Sequence, residues 1–141
     1  MIKILVLGCN HDQVPYLKEL KGKYYIIGSD LNPDAPGKIF CDTFHNVGYD
    51  DFKGLIEIGK IENFGPNDKV FTAGAQFAHI GAANFANEFK IPYPTVKSVE
   101  ICLDKVKFYK FFQENDLPIP ETYLISNIEE LNTRISQKGI D

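Results

Sequence analysis

Apolar positions in this chain follow two rhythms: short continuous runs that end in small or acidic residues, and longer stretches at helical spacing. Residues 2–7, Ile-Lys-Ile-Leu-Val-Leu, form a near-continuous apolar run closed by Gly8, the pattern of a parallel strand buried on both faces. Residues 24–30, Tyr-Tyr-Ile-Ile-Gly-Ser-Asp, repeat the pattern and close on Asp30. Shorter versions at 43–47 and 69–74 predict a third and a fourth strand. Between them the spacing becomes helical. Asp12 is placed to cap a helix with Pro15 in its first turn and Val14, Leu17 and Leu20 on one face, and Gly22 stops it. A second helix starts at Asp50 or Asp51 and runs to about Asn63, with Phe52, Leu55, Ile56 and Gly59 inward. A third covers 76–90, where Ala78, Ala82, Phe85, Ala86 and Phe89 make a face that can lie close on a sheet.

Strand–helix alternation with short connections predicts an α/β, Rossmann-like, doubly wound parallel sheet over residues 1–93. The first strand should be central, it and the fourth strand should lie parallel and away from the edges, and helices should cover both faces. Parallel strands release their following loops on one sheet edge, so the loops at 8–11, 30–36 and 74–76 should line one cleft. Pro92 and Pro94 forbid continued helix and mark a boundary. Residues 94–141 then read as helices at 96–103 and 104–115, a strand at 121–125, and a helix at 127–137 capped by Ser126 or Asn127. That trailing piece is too small to fold alone.

Composition narrows the function classes. A hydrophobic content of 44% and a charged content of 24% are ordinary for a soluble globular protein. No apolar run is long enough to span a membrane, and the first strand begins so early that no signal peptide is expected. The net charge of −4 and the single arginine, Arg134, argue against a nucleic-acid surface. Three scattered cysteines make no disulfide framework, which predicts a reduced, cytoplasmic protein.

The loop Gly8-Cys9-Asn10-His11 sits where a dinucleotide fold would carry Gly-x-Gly-x-x-Gly, but Asn10 and Gln13 occupy the second and third glycine positions. Side chains there keep a pyrophosphate off the backbone, so NAD(H) binding is not expected. The loop remains a candidate contact for a small substrate, since open α/β sheets bind ligands at strand carboxyl ends. Asp30, Gly74 and Gln76 are candidates for the same reason. Cys9, His11 and Asp12, or Cys41, Asp42 and His45, lack paired zinc spacing, and no metal site is expected. Nothing in the sequence supplies a base that would make Cys9 a nucleophile. Lys105 follows Asp104 at a helix start, where its charge adds to backbone N–H groups that favour anions.

Several of these features occur in one order: Asp30-Leu31-Asn32-Pro33-Asp34-Ala35-Pro36, then Ile91-Pro92-Tyr93-Pro94, then Asp104-Lys105, then Leu117-Pro118-Ile119-Pro120. Together they resemble the pre-ATP-grasp domain and the entry to the ATP-grasp domain of the ATP-grasp ligases, such as biotin carboxylase and the carbamoyl-phosphate synthase large chain. The resemblance implies an ATP-dependent carboxylate–amine or carboxylate–thiol ligase acting through an acyl phosphate. Lys105 would bind nucleotide phosphates, and Gly8, Cys9, Asn10, His11, Asp30, Gly74 and Gln76 would face a small-molecule carboxylate substrate. ATP and Mg²⁺ would serve the complete enzyme. The strands and acidic ligands that hold them would come from an ATP-grasp C-terminal part, in cis or as a separate chain, and a homodimer is compatible. Residues 94–141 would be the start of that domain, so the chain alone should not turn over. Cys9-Asn10-His11 departs from the usual glycine run and leaves the substrate open. A stand-alone Rossmann-type ligand-binding or regulatory module is the alternative, with an NAD(P)-linked fragment behind it.

Overall fold

The computed structural model describes residues 1–138; the expected Gly139 after the last helix lies outside them. The elements run β1 (Lys3–Leu7), α1 (Val14–Leu20), β2 (Tyr25–Ser29), β3 (Thr43–His45), α2 (Phe52–Ile61), β4 (Lys69–Phe71), α3 (Ala78–Phe89), α4 (Val96–Leu103), α5 (Lys105–Glu114) and α6 (Ile128–Lys138). Single 3-10 turns at His11–Gln13 and Pro36–Phe40 lead into α1 and β3. The chain divides into two compact units, Met1–Leu103 and Asp104–Asp141.

In the first unit four parallel strands are ordered β3-β2-β1-β4, with Leu5 opposite Ile27 and Val70. Alternation along β1 sends its side chains to opposite faces. Leu5 and Leu7 join Ile27, Leu55, Ile58, Phe64, Val70 and Phe85 under α2 and α3. On the other face Ile4 and Val6 join Ile26, Cys9, Leu17 and Ala35. Each buried Leu, Ile or Phe contributes roughly 1.5–3 kcal/mol of transfer free energy, so a strand buried on both faces is the anchor of the domain. The α/β fold with a parallel sheet is as the sequence predicts.

Some details differ. β4 lies at a sheet edge, with Lys69 exposed and Phe71 half-buried; among the described residues no strand pairs with its outer side. Asp12 does not cap α1, because the 3-10 turn moves the helix start to Gln13, whose side chain points inward. On α2 the inward residues are Leu55, Ile58 and Gly59, while Phe52 is exposed and Ile56 half-buried, a face rotated from the expected one. Asp51 caps this helix by accepting from Gly54 N–H at 2.9 Å. α4 packs on α3 through buried Val99 and so belongs to the first unit, beyond the proline pair that suggested a boundary.

In the second unit α5 and α6 form as expected, but residues 121–125 join no ladder among the described residues. A strand needs a neighbour to take its N–H and C=O groups, and none is present there. α6 starts from Asn127, which accepts from Glu130 N–H at 2.9 Å, while Glu130 accepts from Ser126 N–H at 3.0 Å. This reciprocal pairing is a capping box shifted by one residue from its usual register.

Candidate functional site

Three loops after β1, β2 and β4 meet at the carboxyl edge of the sheet. With the loop after β3 they enclose a cavity of about 250 Å³ lined by Gly8, Asn10, Asp30, Leu31, Gly48, Tyr49, Asp50 and Ala75. Of the residues singled out in the sequence, Gly8, Asn10 and Asp30 therefore face one space. Cys9 is fully buried on the α1 face of the sheet, and it meets the site only through its N–H, which donates to Asp30 Oδ2 at 2.6 Å. His11 and Gln76 are exposed and outside the lining, and Gly74 is exposed beside Asp12.

Asp30 works mainly as a clamp. Its second oxygen accepts from Asn32 N–H at 2.8 Å, so the β1 loop and the Asn-Pro loop hang from one carboxylate. Asn46 donates to the carbonyls of Asp30 and Leu31 at 2.8 and 2.7 Å and holds the same corner from below.

Gln13 explains why the glycine pattern is absent. It is fully buried, and its amide donates to the Leu7 carbonyl at 2.7 Å and accepts from Ala73 N–H at 3.2 Å. Thr72, also buried, donates to the same Leu7 carbonyl at 3.0 Å. Gln13 thus ties the end of β1 to the residues after β4, at the position where the third glycine of a dinucleotide motif lets helix and strand pack closely. Gly8 adopts φ +82°, a conformation that favours glycine, and a Cβ there would lie 3.0 Å from Gln13 Nε2.

The stretch Gly48-Tyr49-Asp50 was not among the candidate site residues, and Asp50 stood only as a possible helix start. It follows a strand that ends at His45 rather than at the expected residue 47, and the only sequence signal was its position after a parallel strand. Gly81 in α3 admits it: a methyl group at that position would collide with the Tyr49 carbonyl. The lining carries two carboxylates, a phenol and an amide, and no lysine or arginine. Such a surface accepts hydrogen bonds from amines or hydroxyls and repels anions.

The second unit holds Lys105. It lines a cavity of about 320 Å³ with Val106, Tyr109, Lys110, Gln113, Thr122, Tyr123 and Leu124. The helix N–H groups expected to join it in binding an anion are occupied: Asp104 Oδ1 accepts from Val106 and Lys107 N–H at 2.9 and 3.1 Å. Positive charge at this cavity comes from the ammonium groups of Lys105 and Lys110 instead. Among the described residues no group of three or more His, Cys, Asp or Glu side chains could hold a metal ion, and no helix is long and apolar enough to cross a membrane.

The arrangement is the α/β fold found in the N-terminal domain of ATP-grasp proteins. In particular, the chain is similar to phosphoribosylglycinamide synthetase from Anaerococcus prevotii, with 16% identity and a TM-score of 0.73 over 96% of this chain and 34% of that one. N5-carboxyaminoimidazole ribonucleotide synthetase from Thermotoga maritima matches at 21% identity and a TM-score of 0.70, over 99% of this chain and 37% of that one. N5-carboxyaminoimidazole synthetase from Staphylococcus aureus, complexed with ADP, matches at 14% identity and a TM-score of 0.69, over 98% and 36%. The chain spans about a third of the length of these structures. No family model and no curated relative matches it.

Proposed function

We propose that this chain is the front part of an ATP-dependent ligase of the ATP-grasp superfamily. The observation that carries the reading is the likeness to synthetases along almost the whole chain, beyond the sheet domain and into the segment that holds Lys105. In this reading Lys105 meets the nucleotide phosphates, with Lys110 beside it, and the ADP of the Staphylococcus aureus structure supports nucleotide use. Mg²⁺ would be held by acidic residues of the C-terminal part and would neutralise charge on the transferred phosphoryl group. A carboxylate, activated as an acyl phosphate, would be attacked by an amine or thiol nucleophile.

The carboxyl-edge cavity would take the donor-bearing end of a substrate, an amine or a hydroxyl, on Asp50, Tyr49 and Asn10. A free carboxylate would sit poorly against Asp30 and Asp50, so this cavity suits the substrate's donor groups rather than the carboxylate that the resemblance implied for it. The free cysteines favour a cytoplasmic setting.

Calorimetry with ATP tests the reading. A lone exposed ion pair is worth about 0–1 kcal/mol, and a millimolar site needs about 4 kcal/mol. The 141-residue chain should therefore bind ATP no better than weakly. A chain extended through a downstream ATP-grasp reading frame, or mixed with a separately encoded one, should bind ATP and lose about tenfold in affinity, about 1.4 kcal/mol, with Lys105→Ala. Tight binding by the 141-residue chain, or no effect of Lys105→Ala, would overturn the assignment.

A further inference from the structure

Two cysteines from separate loops meet over the sheet. Cys9 leaves β1 and is fully buried, Cys41 follows the Pro36–Phe40 turn and is half-buried, and both are free thiols. Their meeting depends on Gly28 in β2. A Cβ at that position would lie 2.5 Å from Cys41 Sγ and 3.0 Å from Cys9 Sγ, so any side chain there would displace the sulfurs. Glycine inside a strand is destabilising and marks a close approach; here the approach is of two thiols. The surrounding backbone is already joined, since Gly37 N–H donates to the Cys9 carbonyl at 2.7 Å and the Cys41 thiol donates to the Gly37 carbonyl at 3.5 Å.

We infer that Cys9 and Cys41 form a reversible dithiol–disulfide pair, a modification site for oxidants of the hydroperoxide class, built into the loop that lines the carboxyl-edge cavity. The two sulfurs are not equivalent. Cys41 is the more accessible, and the neighbouring Cys9 thiol, aided by Lys21, draws the Cys41 thiol below the ordinary range against the effects of burial and Asp42. The neighbouring Cys41 sulfur, with burial, pushes the Cys9 thiol up. The thiolate is the nucleophile, so Cys41 reacts first. Its sulfur attacks one oxygen of hydrogen peroxide, the O–O bond breaks, and the departing hydroxide takes up a proton as water, leaving Cys41 as a sulfenic acid. The Cys9 sulfur then attacks that sulfur, the S–O bond breaks, and the hydroxyl leaves with the Cys9 proton as a second water. Two thiols and one peroxide become one disulfide and two waters, and a thiol reductant returns both thiols. Cys9 lies between Gly8 and Asn10, which line the cavity, and its N–H holds Asp30. The bridge would therefore stiffen the ligand loop.

The test uses the whole chain. Hydrogen peroxide is added, remaining thiols are blocked, and the chain is mapped without reduction. The thiol titre should fall from three to one, a peptide bridging Cys9 and Cys41 should appear, dithiothreitol should restore all three thiols, and Cys102 should stay free. Amide exchange at residues 8–11 should slow several-fold in the bridged chain. A bridged peptide that is missing, or oxidation confined to Cys102, overturns the proposal, and unchanged exchange overturns its link to the loop. With Cys9→Ser, dimedone should trap a sulfenic acid on Cys41; labelling of Cys9 in Cys41→Ser at the same rate would overturn the order of events. Mapping of the unsubstituted chain decides the matter even if a variant fails to fold.

Discussion

Each helix of the first unit buries at least one side chain, from Leu17 in α1 to Val99 in α4, whereas neither α5 nor α6 of the second unit buries any. Both units nonetheless form capped helices. Asp51 caps α2 and Asp104 caps α5 with the same kind of carboxylate contact. The difference is the sheet. Parallel strands offer α1, α2 and α3 an apolar surface on each side, while in the second unit Phe108 packs on Phe112 of the same helix at 4.3 Å between ring centroids. Leu124 and Ile128 remain 67% exposed. Local signals can specify a helix; only an opposing apolar surface makes it cooperative with the rest of the chain.

Core substitutions give the sharpest test of this contrast. Phe85→Ala should cost about 3–5 kcal/mol, read as a large drop in the urea midpoint of the first unit, because Phe85 is 1% exposed between Phe64 and Phe89. Ile128→Ala should change stability by less than about 0.5 kcal/mol. Equal effects would mean that the second unit has a core that its exposed side chains do not reveal.

Gln13→Ala comes next. It removes the partner of Ala73 N–H and one donor to the Leu7 carbonyl, which should cost about 1–3 kcal/mol for the group left unpaired. Thermal unfolding measures it, and a neutral result would show that water replaces the amide without penalty.

The two caps separate the units directly. Asp51→Ala should lower the global unfolding free energy of the first unit by about 1 kcal/mol. By contrast, Asp104→Ala should reduce helical content in 105–114, seen by circular dichroism, and leave the first unit's midpoint in place. A shift of that midpoint by Asp104→Ala would break the comparison.

The smallest expected effect is one of pH. The Lys138 ammonium, helped by the Tyr123 hydroxyl, holds the Glu121 carboxyl below its ordinary 4.5. A depressed acid contributes stability above its unfolded value and loses it as pH falls through the folded one. The contact between Glu121 and the end of α6 should therefore loosen only below the ordinary carboxylate range, and salt should weaken it at neutral pH. Nuclear magnetic resonance of the Glu121 carboxyl would show it; titration at or above the ordinary value would rule out the pairing.

The sequence alone was enough to read the parallel α/β class, the positions of the helices and the convergence of the loops after β1, β2 and β4. These follow from local periodicity and from the rule that parallel strands release their loops on one edge. It also placed Gly8, Asn10 and Asp30 at the cavity, because each directly follows a strand or lies within its loop. Other features depended on contacts between distant residues. Gln13 looked like a failed glycine until Leu7 and Ala73 appeared at its amide, and Cys9 and Cys41 looked like unrelated thiols until Gly28 left room for both. β4 read as an internal strand because Val70 and Phe71 are apolar, yet an edge is decided by which strands are its neighbours. Residues 121–125 have the composition of a strand but join no ladder among the described residues. Periodicity records which face of an element avoids water; pairing, burial and hydrogen-bond satisfaction depend on what lies opposite, and only the folded chain supplies that.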